Sequence, residues 1–234
     1  IKGRSPGIIF VHGLNSDMQG LKALSIEKYA KKNKLSFLKF DCRGHGKSDG
    51  KFEDFTISDW KKDLIDLIDN ITKGPQIIIG SSMGGWLMML AAKSRKKRVS
   101  GLIGLAAAPD FGNSLYSSLN KRIKEQIKKN GFAKHFWSYG SSYILTKKFF
   151  IHAKKNKILN QPFNFQKPII LIQGLKDDVV DINIPKKIMM VSKSKNIQIL
   201  YLKSSDHRLS SITDIKAITN SIDSIRKIIN SKRI

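Results

Sequence analysis

A turn in which a serine stands between two glycines joins an apolar run to a helix-forming run near residue 82. Residues 77–79 are three consecutive isoleucines, which are typical of a strand that is buried on both faces. Residues 86–92 contain no proline and no charge, and they favour a helix. Between these runs, Gly80-x-Ser82-x-Gly84 matches the G-x-S-x-G pattern in the strand–turn–helix context that the pattern requires. The segment therefore predicts a buried strand that ends in a sharp turn carrying Ser82.

The glycines of this segment are explained by the geometry of such a turn. A serine whose hydroxyl stands above the sheet edge takes a strained backbone conformation, at a cost of roughly 1–3 kcal/mol. The reversal crowds the positions two before and two after it, where Gly80 and Gly84 have no Cβ to clash. Gly85 allows the helix to begin close to the sheet. The helix N-terminus then directs N–H groups at the space above Ser82, so an anion formed there is stabilised.

Strands and helices alternate over most of the 234 residues. Apolar runs predict further buried strands at 8–11, 35–40, 99–107, 168–172 and 197–202. Helical spacing predicts helices at 21–32, at 60–71 with Ser58 and Asp59 as its cap, at 184–192, and from about 213. This alternation predicts an α/β fold in which a mostly parallel sheet has helices on both faces. The length fits one such domain spanning 1–234.

The alternation stops near residue 110, and residues 110–166 are predicted to form an inserted helical lid. No strand is predicted there, and helices are expected at 114–130 and 141–159, with the aromatic segment 132–139 between them. In open α/β sheets ligands bind beyond the carboxyl ends of the strands, and we expect the lid to cover that region. Its aromatic side chains fit equally well as the core of the lid or as the wall of an acyl pocket.

The candidate nucleophile, acid and base all follow predicted strands. A serine hydroxyl is a weak nucleophile until a histidine removes its proton, and the histidine needs a carboxylate to hold its tautomer. The chain order Ser82, Asp177, His207 is the order expected for this architecture. Asp178 competes with Asp177, but Asp177 stands in the usual phase, three residues after the glycine that ends its strand. Asp206 adjoins His207 and cannot easily fold back onto its neighbour's ring, so it is expected to hydrogen-bond within its loop.

An oxyanion formed by attack on an acyl group needs two N–H donors. The backbone N–H of Met83, directly after the nucleophile, is expected to be one donor, and that of Leu14 the other. An apolar acyl group is predicted to lie under the lid, near Trp86 and Trp137. His12, which lies just before the second donor, is assigned to the substrate pocket and not to catalysis.

The net charge of +25, from 43 basic and 18 acidic residues, bears on the partners. Most basic residues are lysines, and isoleucine and asparagine are also abundant, a combination that A/T-biased codon usage produces by itself. The lysine runs lie on predicted helix ends and exposed faces with little aromatic interleaving, at 31–34, 93–98, 121–129 and 154–157. We therefore expect no specific nucleic-acid partner, although the positive field favours phosphate-bearing acyl carriers, anionic lipid surfaces and acidic proteins.

Apolar runs and cysteine content bear on the compartment. No apolar run approaches the ~20 residues of a membrane span, so no transmembrane segment is expected. The single Cys42 excludes an internal disulfide, suits a reducing compartment, and is expected to be a small buried residue. No signal peptide is recognised, and because the chain begins at Ile1 without a methionine, a removed targeting segment stays an open alternative.

The motifs together resemble the α/β-hydrolase superfamily along the whole chain. They are His12-Gly13, Asp41-x-Arg43-Gly44-x-Gly46-x-Ser48, Gly80-x-Ser82-x-Gly84, Gly174-x-x-Asp177 and Asp206-His207. The resemblance is sharper to the mitochondrial palmitoyl-protein thioesterases and acyl-glucuronide esterases of the α/β-hydrolase-domain group and to their bacterial relatives. The segments that carry it are 13–20, 22–24, 80–88, 176–178 and 205–208.

The resemblance implies an α/β-hydrolase fold and a Ser–Asp–His esterase or thioesterase, with Ser82, Asp177 and His207 in the matching positions. It implies no cofactor and no metal. The strong basicity then indicates a bacterial member with a biased genome, and hence the cytoplasm. The mitochondrial matrix is the alternative if a targeting segment has been removed.

The predicted function is hydrolysis of a carboxylic ester or thioester, of a small molecule or an acylated protein, through an acyl-Ser82 intermediate. Amide or C–C bond hydrolysis on the same fold is an alternative, whereas dehalogenase chemistry needs an aspartate where Ser82 stands. A basic module that binds nucleic acid or membrane, with a degenerate site, is the alternative from another class. Acyl length, the choice between ester and thioester, the leaving group and the oligomeric state are left open.

Overall fold

The computed structural model of the chain describes residues 1–136 and 142–231. Its strands are β1 (Arg4–Val11), β2 (Leu35–Phe40), β3 (Gln76–Ser81), β4 (Val99–Leu105), β5 (Phe132–Phe136), β6 (Ser142–Thr146), β7 (Ile169–Gly174) and β8 (Ile197–Leu202). Its α-helices are α1 (Leu21–Lys32), α2 (Ile57–Asn70), α3 (Met83–Ser94), α4 (Phe111–Ser118), α5 (Lys121–Asn130), α6 (Lys147–Lys155), α7 (Ile184–Val191) and α8 (Ile212–Ser231).

Six strands form one parallel sheet in the order β2-β1-β3-β4-β7-β8. The register pairs Val11 with Gly80, at the ends of β1 and β3, and Gly174 with Leu202, at the ends of β7 and β8. Because all strands run the same way, the loops after these four strands emerge at one edge of the sheet. The predicted α/β architecture with a mostly parallel sheet is confirmed.

Helices cover both faces of this sheet, as predicted. Alternate side chains of β3 point to opposite faces, since Ile78 belongs to one apolar cluster and Ile77 and Ile79 to the other. The first cluster contains residues of α2, α3 and the segment between β4 and β7, and the second contains residues of α1 and α8. From Met83 to Ala92 every residue of α3 is buried, which explains why this stretch of the helix carries no charge.

The start of α2 differs from the prediction. The helix begins at Ile57 and its N-cap is Thr56, which precedes the predicted cap at Ser58 and Asp59. Asp59 instead closes a capping box, because its Oδ2 accepts a hydrogen bond from the Thr56 N–H at 2.9 Å. Asp59, which was predicted to be part of the cap, is therefore the third residue of the helix.

The prediction that residues 110–166 contain no strand is wrong. After α4 and α5 the chain forms an antiparallel hairpin of β5 and β6, and helix resumes only at Lys147. Gly131 ends α5 in a left-handed conformation with φ of 84°, and Thr146 caps α6 by accepting a hydrogen bond from the Phe149 N–H at 3.0 Å. These two caps bound the hairpin, whose alternate residues Ala133, Tyr143 and Leu145 are buried. The predicted pocket residue Trp137 lies outside the described residues.

The segment between β4 and β7, called the insert here, is fastened to the sheet domain at its base. The Asp110 carboxylate accepts hydrogen bonds from the Ile158 N–H at 2.9 Å and the Leu159 N–H at 2.9 Å, and so joins the two ends of the insert. Trp86 of α3 donates its indole N–H to the carbonyl of Asn156 at 3.0 Å. None of the helices in the described part of the chain combines the length and the apolar character of a membrane-spanning helix. The division into one domain with an insert at 110–166 stays a prediction.

Candidate active site

Ser82 occupies the turn between β3 and α3 in a conformation that L-residues rarely adopt, with φ of 51° and ψ of −115°. A Cβ on Gly80 would lie 2.2 Å from the carbonyl oxygen of Gly84, and a Cβ on Gly84 would lie 2.2 Å from the carbonyl oxygen of Val11. A backbone hydrogen bond holds the turn, since the Ser82 N–H donates to the carbonyl oxygen of Leu105 at 2.9 Å. The crowding that the sequence pattern predicted at both glycines is therefore present.

The loops after β7 and β8 bring Asp177 and His207 together. Nδ1 of His207 lies 2.9 Å from Oδ2 of Asp177, 30 residues earlier in the chain. The Asp177 side chain is fully buried, whereas that of His207 is 18% exposed. Asp178 is exposed and forms part of the lining of a cavity. Asp206 hydrogen-bonds within its own loop by accepting from the Arg208 N–H at 2.9 Å. Of the acidic candidates in the sequence, the structure places Asp177 against the imidazole.

The Asp177 carboxylate is stabilised as an anion by further donors. Its Oδ2 also accepts from Nε2 of the fully buried Gln173 at 2.7 Å, and its Oδ1 accepts from the N–H groups of Val179 at 2.9 Å and Val180 at 2.8 Å. Burial alone raises the pKa of Asp177, but the bonds from His207 and from these N–H groups outweigh it, and the net pKa lies below its usual value. An ionised carboxylate fixes the proton of His207 on Nδ1 and leaves Nε2 as the basic nitrogen.

Gln173 was not predicted from the sequence. The signal was a polar residue near the end of an otherwise apolar strand, four positions before the candidate acid. A buried amide needs a hydrogen-bond partner, and the Asp177 carboxylate is close by in the sequence.

Ser82 and His207 line two cavities that meet between them. The larger has a volume of about 900 Å³ and the smaller about 260 Å³, and Leu14 and Arg208 also line both. The insert supplies much of the apolar wall of the larger cavity through Phe111, Leu115, Phe136 and Tyr143. Some aromatic residues of the insert therefore face a cavity, while Phe149 is buried in its core.

The predicted oxyanion donors lie next to the serine. Met83 is the first residue of α3, and N–H groups in the first turn of a helix have no acceptor within the helix. The loop that carries Leu14 comes close to Ser82, because a Cβ on the preceding Gly13 would lie 3.2 Å from the Ser82 Cβ. Leu14 and Met83 thus belong to segments next to Ser82, and the role of their N–H groups as oxyanion donors stays a proposal.

His12 lines the smaller cavity and is otherwise buried in the loop structure. Its Nε2 accepts the Cys42 N–H at 3.0 Å, so this nitrogen carries a lone pair, and its Nδ1–H donates to the Gly13 carbonyl at 2.7 Å. Burial lowers the pKa of His12, in agreement with the neutral ring that these bonds require. His12 therefore joins the loops after β1 and β2. Cys42 itself is buried, as expected.

Trp86 differs from its predicted place at the pocket. The side chain is fully buried, its indole N–H bonds to Asn156, and its ring makes an edge contact with Phe111 at 5.6 Å. Among the described residues that line the two cavities, Trp86 is absent. α3 is buried from Met83 to Ala92, and the face that carries Trp86 packs against the base of the insert. No group of three or more possible metal ligands occurs in the described part of the chain.

Comparison with known proteins gives three findings. Residues 5–138 match the family described as serine aminopeptidase, S33. The chain is 36% identical over 231 residues to the human palmitoyl-protein thioesterase ABHD10, mitochondrial, covering 96% of this chain and 74% of that protein. The structure of mouse α/β-hydrolase domain-containing protein 10 superposes with a TM-score of 0.90 at 32% identity, covering 98% of this chain and 92% of the other.

A second solved structure is also similar. A putative hydrolase from Agrobacterium vitis S4 superposes with a TM-score of 0.89 at 29% identity, covering 94% of this chain and 87% of that chain. The likeness therefore extends over the sheet and the insert together.

Proposed function

The chain belongs to the α/β-hydrolase family that the serine aminopeptidase S33 description covers, and from that premise we propose that it cleaves carboxylic esters or thioesters through an acyl-Ser82 intermediate. The observation that carries the proposal is the 2.9 Å contact between His207 Nδ1 and Asp177 Oδ2 beside the strained turn of Ser82. A hydroxyl, a basic imidazole nitrogen and a buried carboxylate are the groups that acyl transfer to serine requires.

In the acylation step, His207 Nε2 removes the proton of Ser82, and Oγ attacks the acyl carbon. The negative oxygen of the tetrahedral intermediate accepts hydrogen bonds from the N–H groups of Met83 and Leu14. The bond to the leaving group then breaks, and the leaving oxygen or sulfur takes the proton from His207. Asp177 stays ionised throughout and stabilises the imidazolium that forms.

In the deacylation step, a water molecule gives a proton to His207 and attacks the acyl carbon of the ester on Ser82. Collapse of the second tetrahedral intermediate releases the carboxylic acid, and His207 returns the proton to Oγ. The balance is one water consumed for each ester or thioester cleaved, and this chemistry uses no cofactor.

The larger cavity supports an apolar acyl group. Its volume of about 900 Å³ is at the upper end of the range for ligand sites, and its walls include Phe111, Leu115, Phe136 and Val180. The human relative named above is described as a palmitoyl-protein thioesterase, and a long-chain thioester of a small molecule or of an acylated protein is the substrate class that we propose. The insert acts as the lid in this proposal.

Peptide or amide hydrolysis is a second candidate, since the matching family is described as serine aminopeptidase. An aminopeptidase has to bind the free ammonium of its substrate, and the exposed Asp178 on the wall of the larger cavity is a carboxylate that could serve. Aminoacyl p-nitroanilides compared with p-nitrophenyl esters of equal length would distinguish the two candidates.

Partners and compartment stay predictions. The chain's net charge of +25 supports attraction to anionic partners without base-specific contacts. The thioesterase relatives are described as mitochondrial, which agrees with the matrix alternative, while the cytoplasm of a bacterium remains the first expectation.

A fluorophosphonate probe tests the proposal. We expect one covalent adduct on the wild-type protein and none on Ser82→Ala, whereas Ser81→Ala, a change at the neighbouring serine, keeps the adduct. Ser82→Ala and His207→Ala should each lower kcat by a factor of about 10⁶ on a p-nitrophenyl ester. Unlabelled wild-type protein that binds DNA in a salt-sensitive way would instead support the basic module. Acyl thioesters and oxygen esters of graded length would then define the substrate.

A further inference from the structure

The smaller cavity differs from the larger one in the segments that form it and in the charge of its lining. It lies between the loop after β1, the first turn of α1 and the loop after β8. Its polar and charged lining comes from His12, Ser16, Asp17, Lys22, Ser81, Ser82, His207, Arg208 and Ser210. In contrast to the larger cavity, it receives no residue of the insert among those described.

An ester bound at Ser82 has to direct its two substituents into different spaces. The acyl carbon is attacked at the point where the cavities meet, because Ser82 and His207 line both. If the acyl chain fills the larger cavity, which has the greater volume, the smaller cavity is left for the leaving group.

Lys22 lines the smaller cavity and reaches the loop that carries His207. It is the second residue of α1, and its ammonium donates a hydrogen bond to the carbonyl of Arg208, the residue after His207. An ammonium has three N–H donors, and Arg208 O is its one acceptor within the described part of the chain. Donors of Lys22 therefore remain for a ligand beside the leaving-group side of the site.

The surroundings of Lys22 favour an anionic ligand. Burial lowers the pKa of Lys22 to about 8, and only the carboxylates of Asp206, Asp214 and Asp177 oppose this effect. Lys22 is partly buried, and an anion in the cavity would replace the water that its ammonium has lost. Asp17 also lines the cavity, but Lys22 and Arg208 together outnumber it, so the charge of the lining is net positive.

We propose that the smaller cavity binds the leaving group and that Lys22 selects leaving groups that carry an anionic group, a carboxylate or a phosphate. The inference rests on the proposed hydrolase function and extends it to the other half of the substrate. Lys22 contacts the departing portion of the substrate and takes no part in bond breaking. The part of the substrate beyond the scissile bond would then contribute to specificity through a charge-assisted hydrogen bond.

The test uses thioesters that differ in the charge of the leaving group alone. Octanoyl thioesters of mercaptoacetate and mercaptoacetamide have the same size, and an octanoyl thioester of mercaptoethyl phosphate tests the second anion. We expect wild-type kcat/KM to favour mercaptoacetate or the phosphate over mercaptoacetamide. Lys22→Met should lower that ratio about tenfold, mainly through KM, because a hydrogen bond to a charged group is lost. The matched control Lys28→Met, on the same helix but exposed, should leave the ratio unchanged.

Three results would overturn the inference. One is a wild-type protein that prefers the neutral thioester, which needs no variant to observe. Another is an equal loss on charged and neutral substrates in Lys22→Met, because Lys22 would then act only as a bridge between α1 and Arg208. The third is a wild-type protein that cleaves none of the substrates. Fluorophosphonate labelling separates this third case, since a labelled protein has lost only the leaving-group inference and an unlabelled one has lost the proposed function as well.

Discussion

Gln173 donates an amide N–H to Oδ2 of Asp177 across 2.7 Å, and this is the same oxygen that His207 Nδ1 contacts at 2.9 Å. Gln173 is fully buried at the end of β7, and its Oε1 has no hydrogen-bond partner within the described residues. If the Gln173 amide were reversed, its Oε1 would face the Asp177 carboxylate and repel it. The carboxylate therefore fixes the orientation of the amide. Gln173 is therefore a positioning residue in the proposed mechanism, because it acts on His207 only through Asp177.

Gln173→Met should lower kcat/KM about tenfold, since a buried carboxylate loses one charge-assisted hydrogen bond. The loss of a donor to the ionised form should also raise the pKa of Asp177, and the acid limb of the kcat/KM profile should move to higher pH. A pH–rate profile of an ester substrate measures both effects. A uniform loss of activity at all pH values, with no shift of the acid limb, would show a merely structural role.

Asp177→Asn should lower kcat by about 10⁴, because an amide in place of the carboxylate no longer holds the proton on Nδ1 of His207. Asp178→Asn is the matched control, one residue further along the same loop and exposed. We expect it to retain activity within about tenfold of wild type, as the change leaves the contact with the imidazole in place. Steady-state kinetics on one p-nitrophenyl ester compare the two. Greater damage from Asp178→Asn would contradict the assignment of the acid.

The sequence was sufficient for the main sheet and for the relative order of the candidate site residues. Ile77 to Ile79 and the glycines around Ser82 obey local rules, because strand burial and turn crowding depend on neighbours within a few residues. The position of Asp177 also followed a local phase after the end of β7. Such features can be predicted because their causes lie within one turn or one strand.

The features that the sequence did not predict depend on contacts between distant segments. Lys22 meets Arg208 over a separation of 186 residues, and nothing in either local pattern indicates the contact. The hairpin of β5 and β6 was missed because each strand buries only part of one face, so its apolar alternation is weak. Trp86 was expected near the acyl group, but its side chain packs against the insert, a contact between segments that are distant in the sequence.

Gly84→Ala should destabilise the fold by more than about 3 kcal/mol or prevent soluble expression, because its Cβ would lie 2.2 Å from a backbone oxygen that cannot move without breaking β1. Gly20→Ala is the matched control, since a Cβ there meets no atom within 4 Å and the residue has φ of −60°. Its free energy of unfolding should stay within about 1 kcal/mol of wild type. Urea denaturation followed by tryptophan fluorescence measures both, and comparable losses in the two variants would contradict the crowding argument.

His45 should make the protein less stable below neutral pH. The ring is 5% exposed, and its neighbours are His12, Trp60 and Phe52, with ring centroids at 5.0, 5.0 and 5.5 Å. Nδ1–H donates weakly to the Arg43 carbonyl at 3.3 Å, while Nε2 has no partner among the described residues. Burial is the main cause that lowers the pKa of His45 to about 4, and the nearby His12 adds to it.

The sign follows from proton uptake. The folded pKa of about 4 lies below the ordinary value of 6.5, so between these pH values the unfolded chain binds a proton that the folded chain does not. The stability contributed by the neutral ring is therefore complete above the unfolded pKa and is lost as the pH falls toward 4. Between pH 7 and pH 5 the loss from this one group should be about 2 kcal/mol.

His45→Gln removes the titrating group and keeps an amide that can donate to the carbonyl of Arg43. We expect its free energy of unfolding to fall by about 2 kcal/mol less than that of wild type between pH 7 and pH 5. Urea denaturation of both proteins at the two pH values gives the difference directly, and any constant cost of the substitution cancels. His12, which is also buried with a lowered pKa, is present in both proteins. Equal losses in the two proteins would show that His45 is not the group that senses acid.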